Sequence, residues 1–220
     1  MEGIQTMIEI ICPECAANKE KILRVSIELF SEKGYEAVTL REIAAKVGIK
    51  AASIYNHFRS KEDILEQIAA FFSERLQSGV YPYFQIDEGL CVGTFIRNID
   101  DANRSFFSQP LYAKIGTILL REQFHNASIR KMLLEELIVR PRRVLAEGFK
   151  KLMDAGKMKA LDPVIAAMEF HAFYVYEFYE SSLAQGEGGR GEEEIEAERG
   201  EHQRLFLEAF CTKPVTGAAN

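Results

Sequence analysis

The stretch from Thr39 to Leu65, TLREIAAKVGIKAASIYNHFRSKEDIL, constrains this chain more than any other. It spells two short helices joined by a tight turn, then the start of a third. Thr39 is placed to accept from the amide of Glu42, and Glu42 to reach back to the Thr39 amide, the reciprocal pattern of a capping box. Leu40, Ile43, Ala44 and Val47 fall at i, i+3, i+4 and i+7 and make one apolar helical face. Gly48 follows at once. Glycine turns left-handed without steric cost, so the helix stops there. Ile49 is expected to pack beneath the turn. A second helix is predicted from Ala51 to His57, with Ile54 and Phe58 pointing inward. Ala44 is small, as a steep crossing of two helices requires. This order of features is that of a helix-turn-helix, which lays its second helix in the major groove of DNA.

Charge agrees with that reading. From Thr39 to Lys61 the basic residues are Arg41, Lys46, Lys50, Arg59 and Lys61, and the acid is Glu42. The whole chain is acidic, with 27 Lys and Arg against 33 Asp and Glu. A basic patch on an acidic protein suits a reader of DNA attached to a body that does something else.

The chain here resembles the TetR family of bacterial transcriptional regulators. The resemblance runs from Lys19 to Leu65. It is carried by KILRVSIELFSEKGYEAVT, by LREIAAKVGIKAASIYNHF and by SKEDIL. It implies an all-α fold: an N-terminal three-helix DNA-binding domain, then a larger helical domain for effector binding and dimerisation. It implies that Thr39 and Arg41 stand at the start of the first helix, Arg41 within reach of a base or phosphate. Lys50, Ala51, Ala52 and Ser53 would open the recognition helix. Tyr55, Asn56 and His57 would lie near the DNA backbone, and Lys61 would match the family's phosphate-binding lysine. Lys50 stands where many relatives cap this helix with serine or threonine. Ala51 and Ala52 offer only methyl contacts, so base reading would lean on Arg41, Lys50 and Ser53. Phe58 reads as core, and Tyr55 as a packed ring with its hydroxyl outward. His57 suits either a phosphate or helix-end packing.

Beyond Leu65 the pattern is helical. Ser60 and Asp63 open a helix to about Gln77. Further helices are expected at about Leu90–Phe107, at Leu111–Phe124, and at Ser128–Ala155. The last is either kinked or divided at Pro141. Asp162-Pro163 starts a helix to about Ala184. Its run from Phe170 to Tyr179 is nearly all apolar or aromatic, so it is expected to be covered on two sides, one by a second copy of the chain. In the resembling family the last two helices pair across a twofold axis. This suggests Phe170, Phe173, Tyr176 and Phe178, with Leu205, Phe206, Ala209 and Phe210 of a final helix from about Glu201, as a homodimer interface. The expected layout is an arm at 1–17, a reading head at 18–65, a helical body at 66–212 and a tail at 213–220. Residues 186–200, glycine-rich and acidic, read as a mobile connection, either throughout or with a helical end.

For an effector site the family implies the helical body. The residues that interrupt apolar faces there are Arg97, Asn98, Tyr112, Arg121, Phe124, His125, His171 and Tyr174. Their aromatic surroundings suggest an apolar or aromatic small molecule. The N-terminus has no signal-peptide pattern and no stretch approaches the roughly 18 apolar residues of a membrane span, so the chain reads as cytoplasmic. No phosphate loop, dinucleotide fingerprint or nucleophile elbow occurs, and the chain does not read as an enzyme. Cys12 and Cys15 form a C-x-x-C but lack the further ligands of a zinc site. No metal or cofactor is expected. Two other readings stand beside a ligand-responsive repressor: a small-molecule-binding protein that has lost DNA binding, and a redox sensor using Cys12 and Cys15.

Overall fold

The computed structural model of the chain describes residues 13–86, 89, 91–184 and 191–212. The fold is all-α. In chain order the helices are α1 Pro13–Lys33, α2 Leu40–Val47, α3 Ala51–Ile54, α4 Lys61–Gly79, α5 Val92–Phe107, α6 Pro110–Glu122, α7 Ala127–Leu134, α8 Arg140–Asp154, α9 Pro163–Ala184 and α10 Glu192–Phe210. A 3₁₀ turn covers Tyr81–Phe84, and a π-helical segment, Glu135–Val139, joins α7 to α8. Among the described residues no helix is long and apolar enough to cross a membrane. Cys12 lies outside the described residues, as do the side chain of Cys15, most of the expected arm and the tail from 213. Residues 13–17 of that arm belong to α1, which Pro13 opens.

The helices form two compact units. The first runs up to Arg75 and adds Phe107–Leu133. Its core is the apolar stripe of α1, with Ile22, Val25, Leu29 and Phe30 buried against α2 and α6. Ile43, Ala44, Val47, Ile54 and Phe58 complete it.

The second unit holds Leu76–Phe106 and the chain from Leu134 onward. Aromatic rings centre it. Phe149 of α8 is fully buried, with ring centroids 5.9 Å from Phe95, 5.9 Å from Phe170 and 5.4 Å from Phe206. Gly148 allows that approach, since a Cβ there would stand 3.0 Å from the Phe95 ring and 3.1 Å from Ile86. The π-helical segment has a local cause. Pro141 has no amide to give the carbonyl four residues back, and its ring pushes that carbonyl aside, so the helix widens. The Arg140 amide bonds Glu135 O in place of the usual carbonyl. The resulting turn buries Glu136, which takes bonds from Gln77 Nε2 (2.7 Å) and the Tyr81 hydroxyl (3.2 Å), with Arg140 Nε at 3.1 Å.

At its C-terminal end the structure departs from the sequence pattern. α10 begins at Glu192, so the helical end of the expected connection covers 192–200, and the final helix does not wait for Glu201. The acids of its first turn suit the positive end of the helix dipole. Packing supplies the rest. Arg199 Nε donates to Glu177 Oε2 (2.6 Å) on α9, and the His202 ring stacks on Phe173 at 4.4 Å. The start of α9 is as expected: Asp162 Oδ1 accepts from the Val164 amide at 2.8 Å. α6 stops at Glu122, so Phe124 lies beyond it.

Candidate nucleic-acid interface

The turn between α2 and α3 forms by local chemistry. Thr39 is extended (φ −109°, ψ 154°), and its Oγ1 accepts from the Glu42 amide at 3.2 Å. Gly48 is left-handed at φ 85°, with its amide 2.9 Å and that of Ile49 3.0 Å from Ala44 O. The reverse half of the expected capping box does not form. The Glu42 carboxylate turns to Lys33 at the end of α1, 2.5 Å away, because a full cation attracts it more than a neutral amide does. That bond holds the Glu42 carboxyl below its ordinary range and lifts Lys33 above its own.

α3 is shorter than expected. Regular helix ends at Ile54, and Tyr55, Asn56 and His57 continue as a turn, with His57 N bonded to Ile54 O at 2.9 Å. Lys50 is its N-cap and makes no side-chain cap bond, as the sequence implies. Inward, Ile54 and Phe58 are fully buried, and Lys19 Nζ lies 5.6 Å from the centre of the Phe58 ring, a contact no local pattern signals. Outward, Thr39, Arg41, Lys50, Ala52, Tyr55 and Asn56 are exposed, Tyr55 to 62%. Ala51, Ser53 and His57 are half-buried.

The cations of this segment differ in what they face. Lys46 Nζ is 3.4 Å from Glu28 of α1. Arg59 Nε is 3.7 Å from Asp63, with the Arg59 side chain still 90% exposed. Asp63 also accepts from the Arg59 amide at 2.8 Å, which holds its carboxyl below the ordinary range. Lys61 Nζ donates to Tyr35 O at 2.8 Å and Glu36 O at 3.3 Å and lies 4.2 Å from the centre of the Tyr35 ring. Two of its three donors thus fasten the link between α1 and α2, leaving one for a phosphate. Arg41 and Lys50 have no ion pair among the described residues. They are the free charges of the face. Lys61→Ala is expected to lower the DNA-free stability by about 1 kcal/mol, since bonds from a charged donor are worth about 1.5–3 kcal/mol before discounting for solvent. Chemical unfolding of both forms measures it.

The segment that builds this face matches a known family. Residues 22–68 fit the model described as bacterial regulatory proteins, tetR family. Residues 22–68 are those of a TetR-family regulator. Over 49 residues it is 57% identical to the negative transcriptional regulator IcaR of the biofilm operon icaADBC of Staphylococcus aureus, a stretch covering 22% of this chain and 26% of that protein. The match therefore spans about a quarter of that relative's length. The whole fold is shared more widely. SmeT of Stenotrophomonas maltophilia in complex with triclosan superposes with a TM-score of 0.71 at 19% identity, over 93% of this chain and 96% of that one. A TetR-family regulator from Pseudomonas syringae pv. tomato gives 0.69 at 16% identity, over 89% and 97%.

The other expected site residues are dispersed. Of the effector-site candidates, Tyr112, Arg121, Phe124 and His125 belong to the first unit and Arg97, Asn98, His171 and Tyr174 to the second. Arg97, Asn98, Arg121, Phe124 and His125 are exposed and line no interior. Arg97, Asn98 and Arg121 stand on the solvated faces of their helices, whereas Phe124 and His125 lie in the turn after α6. His171 is buried, and Tyr174 has its hydroxyl beside Asp100 and Gln203. The expected partner-facing residues differ in exposure. Phe170 and Phe206 are in the core with Phe149, Phe173 is half-buried on His202, and Phe210 stacks on Phe206 at 4.4 Å. Phe178 is half-buried, whereas Tyr176, Leu205 and Ala209 are exposed. The open apolar stripe of α9 is Val164, Ile165, Met168, Tyr176, Tyr179 and Leu183, of which only Tyr176 was among the expected partner-facing residues. Helical spacing from Met168 could have found it.

Proposed function

We propose that this TetR-family chain is a DNA-binding transcriptional regulator, a ligand-responsive repressor that grips a palindromic operator as a homodimer. One observation carries the reading. The α2–α3 segment buries Ile43, Ala44, Val47 and Ile54 and turns Arg41 and Lys50 outward, exposed and without an ion pair among the described residues. Side chains of this kind bond phosphate oxygens and base edges. Lys61 keeps one donor for the backbone, and Tyr55 offers its hydroxyl. IcaR, similar in this segment, is a negative regulator, which favours repression.

Dimerisation would set the spacing of two recognition helices on successive major grooves. The exposed stripe of α9 supports it, since a monomer gains nothing from leaving such a face in water. Met168→Glu combined with Tyr179→Glu is expected to give a folded monomer in sedimentation velocity. Dimers persisting in that variant would move the interface elsewhere. An effector bound in the helical body would favour an arrangement with the reading heads wrongly spaced. A coupling of about 1–3 kcal/mol changes affinity about 5–150-fold.

The test is fluorescence anisotropy with duplexes from upstream of the protein's own gene and its neighbours, over a range of salt. Binding that survives random competitor DNA supports a specific regulator. Weak binding, fully competed and abolished by salt on every fragment, rejects it.

A further inference from the structure

In the second unit five buried side-chain atoms lack a hydrogen bond among the described residues; those of Asp100, Arg140 and Tyr174 still lie beside a charged or polar group, which leaves Arg142 and His171. His171 on α9 is 8% exposed, and its Nδ1 is buried. Arg142 on α8 is half-buried, with its Nε closed off from solvent. Neither atom meets a hydrogen-bond partner among the described residues. α8 and α9 pack along one another, and the Arg142 charge lies near enough to oppose protonation of His171. The neighbours of Arg142 are provided for: Arg140 lies 3.1 Å from Glu136, and Arg143 is 3.9 Å from Glu135. Arg142 has no carboxylate among the described residues.

An arginine Nε closed off from water without an acceptor is costly, and so is an orphaned ring nitrogen. One missing group answers both: an anion that accepts from Arg142 and from the imidazole N–H. Burial first, and then Arg142, push His171 down to about 4, so at neutral pH it is an uncharged donor. A single full charge then faces the ligand, which matches a monoanion. The planar fork of arginine suits the two oxygens of a carboxylate. The buried residues within a helical turn of each are apolar: Pro141 and Leu145 on α8, Ala167 and Phe170 on α9.

We propose that Arg142 and His171 anchor a binding site for a small organic carboxylate with an apolar body. Its role as effector rests on the regulator reading above; the binding itself does not.

Calorimetric titration of the DNA-free protein with benzoate and octanoate, each beside its neutral amide, tests the site. The carboxylates are expected to bind, with the amides at least about tenfold weaker. Arg142→Gln is expected to cost about 10–100-fold in carboxylate affinity, the scale of a charge-assisted bond. Arg142→Lys keeps the charge and is expected to recover part of the loss, with circular dichroism checking each fold. An anion beside His171 pulls its pKa back up, so binding near pH 6, where both carboxylates are already ionised, takes up a proton. That uptake makes the enthalpy depend on the buffer, and His171→Phe is expected to remove the dependence.

The proposal is overturned if neither carboxylate binds, if the amides bind as well, or if Arg142→Gln binds as tightly as the native chain. It is also overturned if inorganic phosphate binds through Arg142 in preference to the carboxylates. A shift of the monomer–dimer equilibrium in Arg142→Gln without carboxylate binding would assign the pair to a second copy and overturn it too. Adding the same acids to the DNA complex is a separate readout: binding without release of DNA keeps the site and rejects only its effector role.

Discussion

Replacing Arg41 and Lys50 together by alanine is expected to weaken DNA binding about 100-fold at low salt while leaving the DNA-free unfolding midpoint unchanged. Both side chains are exposed and lack ion pairs among the described residues, so the fold loses little with them. Contacts from a charged donor are worth about 1.5–3 kcal/mol each, and about 1.4 kcal/mol is tenfold in affinity. Each phosphate contact removed also flattens the dependence of log affinity on log salt by about 0.9. A double variant with native affinity and native salt slope would show that this face does not meet DNA. A loss of affinity confined to particular sequences, with the slope retained, would instead assign the two residues to base reading.

Phe149→Ala is expected to destabilise the second unit by about 3–5 kcal/mol, the usual cost of removing a fully buried phenylalanine ring. Three rings meet Phe149, from α5, α9 and α10, and no small movement of one helix closes the space left behind. The melting midpoint of that unit is expected to fall by on the order of 10 °C, measured by calorimetry. Exposed Leu205 offers the control: its substitution by alanine is expected to change stability by no more than about 0.5 kcal/mol. A Phe149→Ala protein as stable as the native chain would mean that the aromatic cluster is not the core of this unit.

The two units differ in how much of them the sequence discloses. The reading head depends on short-range rules. Thr39 caps α2 through the amide three residues on, and Gly48 turns the chain by its own freedom. Ser60 Oγ accepts from the Asp63 amide at 3.1 Å and starts α4. Each can be read from a window of a few residues, and each forms. The second unit depends on which helix meets which. Phe170 looks like a partner-facing residue when α9 is read alone, yet it is enclosed by Phe149 and Phe206 from two other helices. Residues 192–200 look like a glycine-rich connection until Arg199 finds Glu177 and Asp100, its guanidinium 3.7 Å from the latter.

By itself the sequence determined the helical class, the turn, the caps and the identity of the outward residues of the reading head. These follow from backbone freedom and from neighbours three or four positions away. Only the tertiary structure decided which of the charges stay free. Lys46 is spent on Glu28, Lys61 is mostly spent on the carbonyls of Tyr35 and Glu36, and Glu42 prefers Lys33 to its own helix end. It alone left Arg142 Nε and His171 Nδ1 buried without a hydrogen-bond partner among the described residues. The reason is range. Capping and turning act within one turn of chain, whereas pairing and burial are settled by groups that only folding brings together.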